Sequence, residues 1–253
     1  MKRIAIILTL AIGGAACSDG AGPADQAQVS LSFSTARSAA APAPGFFASV
    51  TADTMTDGQN ELIITKAEVV LREIELKKSD VVECDSIMGS DDCEEFEIGP
   101  VLLDLPLDGQ VQQAIAITPD PATYDELEFE IHKVSNDDPE DAAFRAAYPH
   151  MVGKSIRVEG TYNGVTFVFE TDLDVEQEFD LVPPITVSDL STSTNVNVLL
   201  DLSAWFVDGA GSLVDPQSGN KGGMNESLIK ENIKQSVEAF EDHDGDGDES
   251  HSS

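Results

Sequence analysis

Along much of the chain, apolar and polar residues alternate with a period of two. Val29, Leu31 and Phe33 alternate with Ser30, Ser32 and Ser34, which predicts a first strand with one buried face. Residues 35–59, rich in Ala, Pro, Gly and Thr, read as a long loop. Over 61–77 the pattern is ambiguous. Val70, Ile74 and Lys77 have helical spacing, whereas Val70, Ile74 and Leu76 fit a strand; β-branched Ile63, Ile64, Val69, Val70 and Ile74 favour the strand. Val101–Leu105 and Val111–Ile117 give two further short strands, and Leu127, Phe129 and Ile131 alternate with Glu126, Glu128 and Glu130. A short helix is expected over 139–147, with Asp138 as its cap and Pro139 at its first position.

The sharpest local prediction is a hairpin over 154–172. Asn163-Gly164 is a preferred type I′ turn pair. A two-residue loop there sets Tyr162 opposite Val165, Gly160 opposite Phe167, Val158 opposite Phe169 and Ile156 opposite Thr171, with Arg157 facing Glu170 on the other side. Leu173, Val175, Phe179 and Leu181 continue as a strand that Pro183-Pro184 should end. Val196, Val198, Leu200 and Leu202 form the last strand. Asn225 then caps an amphipathic helix over 226–240, with Ile229, Ile233, Val237 and Phe240 on one stripe. Eight or nine short strands with few helices predict an all-β fold, an antiparallel Greek-key β-sandwich with a C-terminal amphipathic helix.

Charge narrows the function classes. The 253 residues carry 14 Lys+Arg against 47 Asp+Glu, a net −33. Such a surface does not suit sequence-independent binding of nucleic acid, nor electrostatic docking on anionic lipid. Hydrophobic residues are 41% of the chain, so it is not an acidic disordered polymer. The acids concentrate in residues 80–97, 137–141, 170–180 and 241–249, which read as the cysteine-bearing loop, a helix start, one strand face and the tail.

The first residues read as an address. Met1-Lys2-Arg3 precedes the apolar run Ile4–Ile12 and the small residues Gly13–Ala16, a secretory signal too short to span a bilayer. Gly14-Ala15-Ala16-Cys17 resembles a bacterial lipobox. The resemblance implies cleavage after residue 16, lipid on Cys17 and, with Ser18 following, an outer-membrane anchor facing the periplasm or the cell surface. The alternative is an ordinary secretory signal that happens to precede a cysteine. Residues 17–28 read as a tether, 29–204 as the sandwich, 205–241 as loop and helix, and 242–253 as an acidic tail.

Cys84 and Cys93 remain, and in an oxidising compartment they read as a disulfide. It would add about 2.7 kcal/mol in the chain-entropy model. Two thiols alone do not complete a tetrahedral metal site.

Pro121-Ala122-Thr123-Tyr124 and the strand after it resemble the strand start of prealbumin-like Greek-key domains, in which the tyrosine closes a corner. Signal, lipobox and strand layout together resemble uncharacterised bacterial lipoproteins carrying such a domain of unknown function, over roughly residues 29–204.

The strongest chemical motif lies at the end. In Glu241-Asp242-His243-Asp244-Gly245-Asp246-Gly247-Asp248, residues Asp242, Asp244 and Asp246 stand at positions 1, 3 and 5 of a calcium loop. Gly247 stands at the turn position and Asp248 offers a carbonyl. Position 12 is Ser253 rather than Glu, so the expected affinity for Ca²⁺ is weak, about 10⁻⁴–10⁻³ M. The competing reading is an acidic tail that only attracts counterions. Asp172, Asp174, Glu176, Glu178 and Asp180 alternate along a strand and read as one solvated acidic face, where Ca²⁺, a cationic partner or salt would relieve repulsion.

Catalytic signatures are weak. His132 and His150 are candidates for a triad, but His132 shares the outward face with Glu128 and Glu130 and reads as a surface histidine. The sequence has no Gly-x-Ser-x-Gly, no His-Glu-x-x-His and no P-loop. Trp205-Phe206 reads as core holding the final helix, with a sugar-stacking platform as the other option. The leading expectation is therefore a lipid-anchored envelope protein, with a non-catalytic sandwich that binds an envelope protein or glycan or serves structure. The alternative is a secreted hydrolase acting on carbohydrate through two carboxylates.

Overall fold

The computed structural model describes residues 28–36, 52–79, 98–188, 194–242 and 247. Cys17, the Cys84/Cys93 pair, Asp244, Asp246 and Asp248 lie outside the described residues, as does the whole acidic 80–97 segment. The described residues contain eleven strands in two sheets, an all-β sandwich.

The smaller sheet has the order β11-β10-β1-β5. It contains β1 (Val29–Thr35), β5 (Gln112–Ile117), β10 (Thr194–Leu200) and β11 (Val237–Glu241). The larger sheet is organised around β3 (Glu61–Lys78), whose β-branched run pairs along its whole length. Residues 62–69 of β3 pair with β7 (Ile156–Tyr162), and 71–78 pair with β6 (Ala122–Ile131). β2 (Asp53–Thr56) and β4 (Val101–Asp104) also pair with β3, while β8 (Val165–Thr171) and β9 (Val175–Val187) extend the sheet to its two ends. Pairing is antiparallel except between β1 and β10, which run parallel.

The period-two residues of both sheets meet in one core. Leu31 and Phe33 of β1, Val196 and Val198 of β10, Leu127, Phe129 and Ile131 of β6, and Val158 and Phe169 of the hairpin are all buried. The hairpin register is the one its turn dictates: Tyr162↔Val165, Gly160↔Phe167, Val158↔Phe169, Ile156↔Thr171 and Arg157↔Glu170. Tyr124 is fully buried and its hydroxyl donates to the Asp120 carbonyl at 2.8 Å, the geometry of a tyrosine corner.

Gly160 allows β7 to lie close against β3. A Cβ built there would stand 1.9 Å from the Ile63 carbonyl oxygen, a backbone atom that cannot rotate away. Gly160→Ala should therefore destabilise the protein by about 1–3 kcal/mol, read as a lower urea midpoint with an unchanged slope.

Five local expectations need correction. The segment 35–59 is not all loop: β2 lies within it and turns through Gly58, at φ +86°, into β3. Pro183-Pro184 does not end β9. Residues 181–184 bulge opposite Asp125, and Ile185–Val187 resume pairing with β6. Prolines are tolerated there because β9 is an edge strand, where a missing N–H leaves no ladder bond unmade.

The helix expected at 139 begins later, as α1 (Ala142–Ala147), with Asp141 rather than Asp138 before it. Phe144 of α1 packs with Val70, Val134 and Met151 in a second small core. A four-residue helix, α2 (Leu202–Trp205), follows β10, and Asp201 caps it by accepting from the Ser203 N–H.

The C-terminal helix is shorter than its apolar stripe. α3 (Glu226–Lys234) buries Ile229 and Ile233, but Val237 and Phe240 belong to β11. Asn225 precedes α3 without a side-chain capping bond. α3 lies against α2, with Asn232 Nδ2 donating to the Trp205 carbonyl, and against Gly219, where a Cβ would meet Ile229 at 2.4 Å.

Candidate functional site

On the outer face of the larger sheet, β3, β6 and β9 set polar side chains in three cross-strand rungs. The rungs are Arg72–Glu130–Glu176, Glu75–Glu128–Glu178 and Lys77–Glu126–Asp180. Strand alternation produces them, because Leu127, Phe129 and Ile131 point into the core and oblige their neighbours to point out. Seven carboxylates thus share a sheet face with two cations. Arg72 bonds Glu130 at 2.9–3.0 Å, while Lys77 pairs with Glu126 at 3.1 Å and with Glu128. Like charges directly opposite one another in a sheet repel.

The expected acidic row is only partly on this face. Glu176, Glu178 and Asp180 lie on β9, whereas Asp172 and Asp174 sit in the turn before it. Asp172 is engaged by Lys230 at 2.7 Å and Lys221 at 2.9 Å, which hold its carboxyl below the usual carboxylate range.

The crowding of carboxyl groups acts most strongly on Glu176 through its neighbour Glu128. A hydrogen bond with Glu128 and the charge of Glu128 push Glu176 from 4.5 up to about 7, with Glu178 adding to the rise and Lys77 opposing it. Glu130 and its partner Arg72 stand on the same rung. A carboxyl that holds its proton more tightly when folded stabilises the fold fully below about pH 4.5. That contribution is lost as pH rises through 7. The melting temperature should therefore fall from pH 5 to pH 8 at low salt. Glu176→Gln, a permanent mimic of the protonated form, should flatten that fall; identical slopes in variant and wild type would contradict the assignment.

One end of this face is enclosed. His132 follows β6 and Asp174 precedes β9, just beyond the Ile131↔Val175 pair. His132 is not a surface residue: it is 4% exposed. Its Nε2 lies 2.9 and 3.0 Å from the two oxygens of Asp141, which is fully buried and also accepts from the Ser135 N–H at 2.5 Å. Its Nδ1 has no hydrogen-bond partner, and faces Glu130 Oε2 at 3.4 Å and Asp174 Oδ1 at 3.8 Å. His150 instead approaches the buried Glu68 at 3.3 Å. Among the described residues, neither histidine hydrogen-bonds a serine hydroxyl.

Trp205 and Phe206 are fully buried and form no sugar platform. An open groove of about 740 Å³ is lined by Lys133, Lys154, Arg157 and Lys221 together with Glu170 and Asp172. These charges already pair across it: Lys154 and Arg157 with Glu170, and Lys133 and Lys221 with Asp172.

Of the calcium-loop residues, Asp242 and Gly247 are described. The strand β11 leads into the loop, where the sequence pattern predicts the end of a helix over 226–240. Asp242 is fully buried. Its N–H donates to the Asn195 carbonyl at 3.0 Å, and its Oδ2 accepts from the Gly247 N–H at 3.1 Å. Gly247 has φ +87°, the left-handed backbone that a tight turn at this position needs. Positions 1 and 6 of the motif are thereby joined.

Sequence patterning identified the acidic face but not the His132 pocket. Its distant members, Asp141 and Asp174, carry no spacing signal of their own. Among the described residues, no helix is long and apolar enough to cross a membrane. No protein-family model, curated protein or solved structure matches the chain.

Proposed function

We propose that this is a lipid-anchored cell-envelope protein whose β-sandwich is a non-catalytic binding or structural module dependent on divalent cations, Ca²⁺ foremost. The observation that carries this reading is the trio of rungs on β3, β6 and β9, an extended acidic sheet face rather than a converging cleft. Oxygen donors of Glu128, Glu176 and Glu178 lie within 4.8 Å of one another, and hard oxygen ligands in a flexible arrangement suit Ca²⁺. The Asp242–Gly247 contact supports a second, weaker calcium site in the C-terminal loop. The signal and Cys17 supply the anchor, and the acidic face then meets a cation-bearing envelope protein or glycan.

Two experiments test the reading. Globomycin should cause the precursor to accumulate, and mass spectrometry should find lipid on Cys17; an unmodified cysteine overturns the anchor. Calorimetry with CaCl₂ should show binding that falls in Glu176→Gln/Glu178→Gln and, separately, in Asp244→Asn/Asp246→Asn. Absence of Ca²⁺ heat overturns the cation reading.

A further inference from the structure

We infer that Glu130, His132 and Asp174 form a binding site for a transition-metal dication of the zinc class, separate from the calcium-type carboxylates beside it. The inference rests on the His132 imidazole. A nitrogen in a 4%-exposed side chain that makes no hydrogen bond is unusual, since buried polar atoms are nearly always partnered. Both oxygens of Asp141 hold Nε2, so the ring donates there and presents the Nδ1 lone pair on the opposite side. A buried carboxylate that orients a histidine from behind is the usual support for a metal-binding imidazole.

The geometry in front of Nδ1 suits a small cation. At metal–ligand distances of about 2.0–2.2 Å, two ligand atoms of a tetrahedral site stand about 3.4 Å apart. Glu130 Oε2 and Asp174 Oδ1 lie 3.4 and 3.8 Å from Nδ1, and donor atoms of all three residues fall within 4.8 Å of one another. The carboxylates are themselves fixed: Arg72 holds Glu130, and the Lys133 N–H holds Asp174 Oδ1 at 2.8 Å.

Charge favours a dication as well. Around Arg72, the cation that holds Glu130, stand Glu73 at 3.1 Å, Glu130 at 2.9 Å and Asp138 at 3.7 Å, with Asp141 close behind. Asp174 is 53% exposed, which gives an ion a way in and leaves a fourth position for water. One imidazole with two carboxylates selects zinc-class ions over Ca²⁺, which prefers six or more oxygens.

The test is a titration of the full-length chain with ZnSO₄ in buffer containing millimolar CaCl₂, with Co²⁺ absorption as a second readout. The expected result is one saturable site that perturbs the His132 ring resonances and is weakened at least tenfold by Asp174→Asn. A His243→Gln/His251→Gln variant, which removes the tail histidines, should bind as wild type does. Zinc binding that vanishes in that double variant and survives Asp174→Asn would place the metal on the tail and overturn the inference. So would an absence of saturable binding, or unmoved His132 resonances in the wild-type chain, a readout that needs no variant to fold. Calcium binding that fails while zinc binding stands would overturn the cation reading of the sheet face and leave this site intact.

Discussion

Trp205→Ala is expected to lower stability by about 3–5 kcal/mol, the largest effect of any single truncation in the core. Trp205 is fully buried at the junction of α2, α3 and β11. Its ring lies 6.3 Å from Phe206, and Phe206 packs edge-on against Phe169 at 5.2 Å and Phe167 at 6.3 Å. The indole N–H donates to Ser236 Oγ at 2.6 Å, Ser236 Oγ donates to the Ile233 carbonyl, and Asn232 Nδ2 donates to the carbonyls of Trp205 and Val207. One side chain therefore ties the end of α3 to the start of β11. Truncation leaves a cavity and a buried hydroxyl without its donor. Trp205→Phe keeps most of the apolar contact and loses the N–H, so it should cost less, about 1–3 kcal/mol. Urea denaturation followed by far-ultraviolet circular dichroism reads both variants, because Trp205 is the chain's one tryptophan and fluorescence is lost with it. Equal midpoints for Trp205→Ala and wild type would mean that this junction does not hold the C-terminal elements.

Asp141→Ala should cost about 2–5 kcal/mol, because it leaves two buried N–H donors without their acceptor. The Asp141 carboxylate has no exposed surface and serves both His132 Nε2 and the Ser135 N–H. Its loss strands both donors in the interior and detaches the residue before α1 from His132 and Ser135. Asp141→Asn retains an acceptor oxygen and should cost less than Asp141→Ala. Melting curves of the two variants give the order directly. A surface-like cost below 0.5 kcal/mol for Asp141→Ala would contradict the buried arrangement.

The contrast between these two sites shows what a period-two reading captures. Trp205-Phe206 was legible as core because large apolar residues next to the last strand have nowhere else to be buried. The Asn163-Gly164 hairpin was legible to the residue, because turn chemistry and face pattern agree there. His132 was assigned correctly to the face of Glu128 and Glu130, but that face is not solvent at its end. The turn into α1 brings Asp141 over it, and a contact between residues on separate elements leaves no mark in alternation.

The C-terminal helix ends before its apolar stripe does, for a related reason. Ile229, Ile233, Val237 and Phe240 keep helical spacing, yet Val237 and Ala239 also satisfy a strand. Pairing with Val198 and Leu200 of β10 decides the matter after Ser236. β2 was hidden by composition, although Asp57-Gly58 just after it is a turn signal and the Asp57 carboxylate accepts from the N–H groups of Gln59, Asn60 and Leu213. At Pro183-Pro184 the rule that prolines end strands gave way to edge position and a bulge.

We propose that the surplus carboxylates on the β3–β6–β9 face make the fold dependent on cations. The most direct measurement is the melting temperature of the full-length chain at pH 7.5 in low-salt buffer, in millimolar CaCl₂ and in molar NaCl. A rise is expected with either addition, reached at far lower concentration with Ca²⁺ and reduced in Glu176→Gln/Glu178→Gln. A melting temperature that stays constant across all three conditions would contradict it.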